Sequence, residues 1–97
     1  MSETLVFQLS GGLHITLGGA PLPASVYGKG RALLAYLAVT ARPHTREALA
    51  GLLWGEMSET DARTNLRQVL ATLHKVLGPY LLVTRQTVGL NADRGYA

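Results

Sequence analysis

Large apolar side chains recur at every second position in two segments near the start of the chain. Residues 4–9 (TLVFQL) and 13–17 (LHITL) both show this spacing, which is typical of half-buried β-strands. The glycine pairs at 11–12 and 18–19 supply the positive φ angles that tight turns demand. Prolines exclude a helix from residues 20–24, so a third extended segment is expected there. The pattern predicts a small antiparallel meander.

Helical spacing then replaces the alternation. In GKGRALLAYLAVTA (residues 28–41) the apolar residues fall on one stripe, and Pro43 ends this helix or lies just beyond it. Thr45 is a suitable N-cap for a second helix, which Gly55 ends. We expect that helix to bury one leucine stripe: Leu49, Leu52 and Leu53. Trp54 follows directly on this stripe, so core packing is favoured over a role in stacking on a ligand.

A third helix of about residues 59–77 begins at SETD (58–61), which resembles a capping box with Asp61 in place of the usual Glu. Its core side is expected to hold Ala62, Leu66, Val69, Leu70, Leu73 and Leu77. Gly78 and Pro79 end it. Residues 81–84 and 87–90 are strand-like, and Arg85-Gln86 between them forms a polar, positive hairpin tip.

This order of elements predicts a single α+β domain over residues 1–97. Three short helices followed by a hairpin are typical of a winged helix-turn-helix. The expected fold is therefore a winged helix-turn-helix with an N-terminal antiparallel β-meander, three helices and a C-terminal β-hairpin wing. No internal repeat or low-complexity segment interrupts it.

Charge and composition narrow the function. The formal net charge is only +3, but residues 62–92 contain four basic residues and no acidic one. A basic surface late in the chain favours a polyanionic partner. The chain has no cysteine, and its longest strongly apolar run, residues 32–39, is too short to cross a bilayer. Neither a signal peptide nor a membrane partner is expected, and the expected location is cytoplasmic.

The polar face of the third helix carries no carboxylate after Asp61, although solvated helix faces usually mix charges. A helix fits the major groove of double-stranded DNA, where Arg reaches guanine and Asn or Gln reaches adenine. Cations and hydroxyls fix the register on phosphates. We therefore expect Asn65, Arg67 and Gln68 to read bases and Arg63, Thr64, Thr72 and Lys75 to bind phosphates. A plain solvated face is the alternative.

Two further pairs complete the expected DNA-binding residues. Arg85 and Gln86 at the hairpin tip are expected to enter a minor groove, which attracts Arg where it narrows. The alternative is a polar turn that only closes the two strands. Thr45 and Arg46 begin the second helix, whose N-terminal amides favour a phosphate. Thr45 is also explained by capping alone.

Three segments resemble a known family. GRALLAYLAV, TREALAGLLW and DARTNLRQVLATLHKVLG, in this order, are similar to the motifs of the N-terminal DNA-binding domain of SARP-type (antibiotic regulatory protein) bacterial transcriptional activators. That domain belongs to the OmpR-like winged-helix class. The resemblance covers about residues 5–91. Two departures stand out: His74 occupies a position that is usually basic, and the hairpin tip lacks the glycine and following aromatic residue common in the family.

The resemblance implies a sequence-specific transcriptional activator that binds double-stranded DNA. It also implies that the chain is one domain of a longer regulator, with a C-terminal helical activation domain. Tandem or dimeric binding on direct repeats and contact with RNA polymerase are expected for such regulators. These properties come from the resemblance and not from the spacing of residues.

Other function classes have less support. Gly28-Lys29-Gly30 lacks the Ser/Thr and the preceding glycine of a phosphate-binding loop. The three histidines lie thirty residues apart, without the local spacing of metal ligands. We expect no enzyme activity, no metal and no cofactor. The remaining alternative is a winged helix that binds another protein and not DNA, which exposed apolar residues on the third helix would favour.

Overall fold

The structure, a computed structural model, describes residues 5–8, 14–23, 26 and 28–91. Its first three strands are β1 (Leu5–Gln8), β2 (His14–Leu17) and β3 (Ala20–Pro21). They form one antiparallel sheet in the order β1-β2-β3, with Phe7 opposite Ile15. Gly18 and Gly19 have φ angles of 63° and 84°, as the turn between β2 and β3 requires. The predicted meander is confirmed, while its turn at 11–12 lies outside the described residues.

Three helices follow: α1 (Lys29–Thr40), α2 (Arg46–Leu53) and α3 (Glu59–Leu77). The two predicted N-caps are present. The Thr45 hydroxyl accepts a hydrogen bond from the Ala48 amide at 3.1 Å, and the Ser58 hydroxyl accepts one from the Asp61 amide at 3.2 Å. Each bond satisfies an amide that has no partner within its own helix. Local sequence therefore decides where α2 and α3 begin.

A second antiparallel sheet closes the fold. It contains β4 (His44–Thr45), β5 (Leu81–Val83) and β6 (Thr87–Leu90), in the order β4-β6-β5. The β5–β6 hairpin is the predicted wing. Strand β4 was not predicted, and it pairs His44 with Val88 and Thr45 with Thr87. Because α2 starts directly after β4, this pairing holds the N-terminus of α2 beside the wing. The predicted α+β winged-helix fold is confirmed.

One core draws on all of these elements. Leucines of α1, α2 and α3 fill its centre: Leu33, Leu34, Leu37, Leu49, Leu66, Leu70, Leu73 and Leu77 are all buried. Trp54 is buried as predicted, with 9% of its surface exposed. Val69 is only partly buried and packs against the edge of this core. Leu5 and Ile15 attach the N-terminal sheet to it.

The predicted burial of Leu52 is wrong, since 54% of this residue is exposed. Leu49 and Ala50 are buried, and Leu53 is half-buried against the core. Successive residues of an α-helix are rotated by roughly 100°, so Leu52 points away from the side that Ala50 occupies. With only two turns, α2 buries a narrow stripe against α3. Packing places Ala50, and not Leu52, in that stripe.

Candidate nucleic-acid interface

The helix α3 presents an exposed stripe on the side away from the core. Thr64, Gln68, Ala71 and Lys75 lie three or four residues apart and are all exposed. None of them is a large apolar residue, and none is acidic. A stripe of this kind can enter a groove of DNA without burying an unpaired carboxylate beside phosphates. Three of the four residues are predicted DNA contacts.

On one side of this stripe, α3 faces the start of α2 and the tip of the wing across an open cleft of about 530 Å³. The cleft brings together side chains from three separate parts of the sequence. It is lined by Thr45, Arg46, Glu47, Arg63, Leu66, Arg67, Arg85 and Gln86. Six of these are predicted DNA-binding residues. Four arginines and one carboxylate line the cleft, and positive charge stays in excess although Glu59 pairs with Arg63, which suits a polyanion.

On the other side of the stripe, α3 borders a smaller groove of about 300 Å³. Asn65, Gln68 and Thr72 line it together with Lys29 and Trp54. The Asn65 side-chain amide donates a hydrogen bond to the Met57 sulfur at 3.0 Å. The Lys29 ammonium lies 6.0 Å from the centre of the Trp54 ring, within the range of a cation–π contact. The structure therefore separates Asn65 and Thr72 from the basic cleft.

Several predicted phosphate ligands already make hydrogen bonds within α3. Arg63 pairs with Glu59 at 2.8 Å. The Thr64 hydroxyl donates to the Thr60 carbonyl at 3.0 Å, and the Thr72 hydroxyl donates to the Gln68 carbonyl at 3.2 Å. A phosphate oxygen only accepts hydrogen bonds, so each hydroxyl must leave its carbonyl before it can donate to a phosphate. Arg67 is exposed within the cleft, which makes it the better placed cation.

The wing tip is a closed turn organised by Thr84. Its hydroxyl accepts hydrogen bonds from the amides of Gln86 and Thr87, at 3.2 and 2.9 Å. Its own amide donates to the Thr87 carbonyl at 2.9 Å. Arg85 and Gln86 are exposed at this tip. Arg46 of α2 contacts the same turn, because its Nε donates to the Thr84 carbonyl at 3.0 Å.

A buried histidine in β4, the strand that leads into α2, contacts the end of α1. His44 is 6% exposed, and its Nε2 lies 2.7 Å from the Thr40 hydroxyl. That hydroxyl donates to the Tyr36 carbonyl at 2.8 Å, so it accepts from an Nε2–H of His44. Burial lowers the pKa of His44 below its usual 6.5, and the nearby positive charge of Arg42 lowers it further. The lowered pKa favours the neutral imidazole, and the contact of its Nε2 with Thr40 joins α1 to β4.

Sequence reasoning missed two features of the basic cleft. Glu47, an acidic residue in the first turn of α2, lines the cleft. Arg46 was expected to contact DNA directly, and its link to the wing was not foreseen. Neither feature leaves a local signal, since Arg46 and Thr84 are 38 residues apart in the chain.

Among the described residues, no helix is both long and apolar enough to span a bilayer.

Comparison with known proteins points to one class, the transcription regulators. Curated relatives are the "Transcriptional regulatory protein EmbR" of Mycobacterium bovis and that of Mycobacterium tuberculosis. Each is 35% identical over 79 residues, which cover 80% of this chain and 20% of the relative. The chain thus spans about a fifth of the length of these relatives. No protein-family model matches the chain, and no solved structure gives a significant match.

Proposed function

We propose that this chain is the sequence-specific DNA-binding domain of a bacterial transcription regulator, with α3 in the major groove and the β5–β6 wing in the neighbouring minor groove. The observation that carries the proposal is the basic cleft between α3 and the wing tip, lined by Arg46, Arg63, Arg67 and Arg85. Two adjacent grooves of duplex DNA are separated by one phosphate strand. That strand fits a basic cleft between the two reading elements.

Within this arrangement the exposed residues of α3 take different roles. Gln68 lies on the outward stripe, where a side-chain amide can form two hydrogen bonds with adenine. Arg67 lies on the cleft edge of the stripe, where its guanidinium can reach guanine or a phosphate. Lys75 continues the stripe toward the end of α3 and contacts phosphate. Asn65 joins this set when its hydrogen bond to Met57 opens.

The finer assignment rests on the resemblance to SARP-type activators. On that basis the domain belongs to a longer cytoplasmic regulator, which binds direct repeats as tandem or paired copies. The same basis assigns it a helical activation domain and contact with RNA polymerase. Similarity to a protein called a transcriptional regulatory protein supports the broader part of this assignment. A winged helix that binds only protein is less well supported, because no large apolar residue of α3 is strongly exposed.

Selection from a random duplex library tests this function. The chain is expected to enrich a defined sequence, and fluorescence anisotropy should then show tighter binding to that sequence than to a scrambled duplex. Arg67→Ala should weaken the selected sequence more than the scrambled one, by about 1–3 kcal/mol if it reads a base. Arg42→Ala removes an exposed arginine outside the cleft and serves as the matched control. No enrichment, and no duplex binding at low salt, would exclude a DNA reader.

A further inference from the structure

We infer that Arg46 is a positioning residue for the wing, which acts on DNA recognition by holding the wing tip at a set distance from α3. This inference rests on the proposed function and extends it. Its starting point is that a single residue of α2 makes two hydrogen bonds to the tip. The Arg46 backbone amide donates to the Gln86 carbonyl at 2.9 Å, and its side-chain Nε donates to the Thr84 carbonyl at 3.0 Å.

These two carbonyls stand immediately before and after Arg85. The exposed residue expected to enter the minor groove therefore lies between two points that Arg46 anchors. The Thr84 turn closes the tip on itself, but its bonds lie within the hairpin. They give the tip a shape without orienting it relative to α3. The bonds from Arg46 supply that orientation, because α2 packs directly against α3.

The remaining attachment of the wing is weaker at the tip. Strand β4 pairs with β6 only through His44 and Thr45, and Thr87 is the last wing residue in that ladder. Beyond it, the Arg46 bonds are the described contacts that tie the tip to α2. The Nε donor belongs to a positively charged guanidinium, and charge-assisted hydrogen bonds are stronger than neutral ones. The Arg46 side chain is half-exposed, and its bond to Thr84 lies at the protein surface.

The chemistry of arginine explains why this position needs more than a positive charge. A guanidinium has five N–H donors in a rigid fork. Nε is occupied by the Thr84 carbonyl, and the side chain also lines the cleft, so terminal N–H groups remain for a phosphate. Lysine supplies the same charge from one flexible ammonium and cannot reproduce this shared geometry. Arg46→Lys therefore separates positioning from charge.

Two measurements distinguish positioning from a plain phosphate contact. The first is amide hydrogen exchange in the free protein. If the Arg46 side chain holds the tip, Arg46→Lys should speed exchange of the backbone amide at position 46, which donates to the Gln86 carbonyl, by about tenfold, as expected for loss of a charge-assisted bond. Exchange at Ala48, whose amide is bonded to the Thr45 cap, reports whether α2 itself stays intact. Unchanged exchange of the amide at position 46 would overturn the inference.

The second measurement compares two duplexes that share the selected sequence but differ in the width of the flanking minor groove. Arg46→Lys should lose the preference for the narrow groove to the same extent as Arg85→Ala, and the double variant should be no worse than Arg85→Ala alone. The salt dependence of Arg46→Lys should match that of the wild type. A lysine variant that keeps the preference would overturn the inference. If the wild type binds neither duplex, the proposed function fails, and the exchange measurement still decides whether Arg46 positions the tip.

Discussion

The arginines of the basic cleft allow a quantitative prediction about salt dependence. Binding to duplex DNA releases counterions from each phosphate that the protein neutralises, and each adds about −0.9 to the slope of log K against log salt. Four arginines line the cleft. If each neutralises one phosphate, the cleft alone contributes a slope of about −3.6. Affinity for random duplex should then fall about 150-fold between 50 and 200 mM salt.

The structure also indicates which of two cleft arginines contributes more to this salt dependence. Arg67 is exposed in the cleft and makes no ion pair with an acidic residue of the described chain, so Arg67→Gln should reduce the magnitude of the slope by about 0.9. Arg63 is paired with Glu59 at 2.8 Å, and both side chains are more than half exposed. Because Glu59 offsets part of the charge of Arg63, Arg63→Gln should reduce the magnitude of the slope by less than Arg67→Gln does. Glu59→Gln, which frees the charge of Arg63, should increase the magnitude of the slope.

Fluorescence anisotropy titrations of a labelled random duplex at several salt concentrations measure these slopes directly. Arg42→Gln is the matched control, since it removes one exposed arginine that does not line the cleft. Its slope should stay close to that of the wild type. The reasoning is refuted if Arg67→Gln and Arg42→Gln change the slope equally, because the cleft would then have no special part in binding. A slope near zero for the wild type would refute it more broadly.

Three further predictions concern single side chains. Glu47→Gln, which removes the carboxylate that lines the cleft, should tighten duplex binding about two- to fivefold in anisotropy titrations; Glu56→Gln, outside the cleft, should not. Ser58→Ala removes the cap of α3 and should cost about 1 kcal/mol, lowering the Tm followed by circular dichroism by about 4–8 °C. Ser58→Gly should lower it much less, and equal losses would argue against capping. The lowered pKa of His44 means that the unfolded chain binds the proton more readily, so the free energy of unfolding should be constant above pH 6.5 and fall as the pH drops below it. Urea titrations should show this fall in the wild type, and its persistence in His44→Gln would assign it to another group.

Local sequence chemistry alone determined much of this protein. The hydroxyls of Thr45 and Ser58 select the starts of α2 and α3, because a cap bonds to an amide only three residues ahead. The limits of α3 (Glu59–Leu77) agree with the predicted span of about 59–77. The alternation of apolar residues in the first strands and the leucine spacing in α1 and α3 are likewise local patterns. Each can be read from a few neighbouring residues of one strand or from one or two turns of one helix. Such signals are complete within a short window of sequence.

Only the tertiary structure decided how these elements present their side chains. It exposed Leu52, because the narrow contact of a two-turn helix with α3 buries Ala50 in its place. It divided the predicted α3 contacts between two flanks, with Arg67 in the basic cleft and Asn65 beside Met57. It joined Arg46 to Thr84 across 38 residues. Each outcome depends on how a segment that is distant in the chain packs against the residue concerned. Hydrophobic periodicity does not tell which distant segment this is or from which side it approaches.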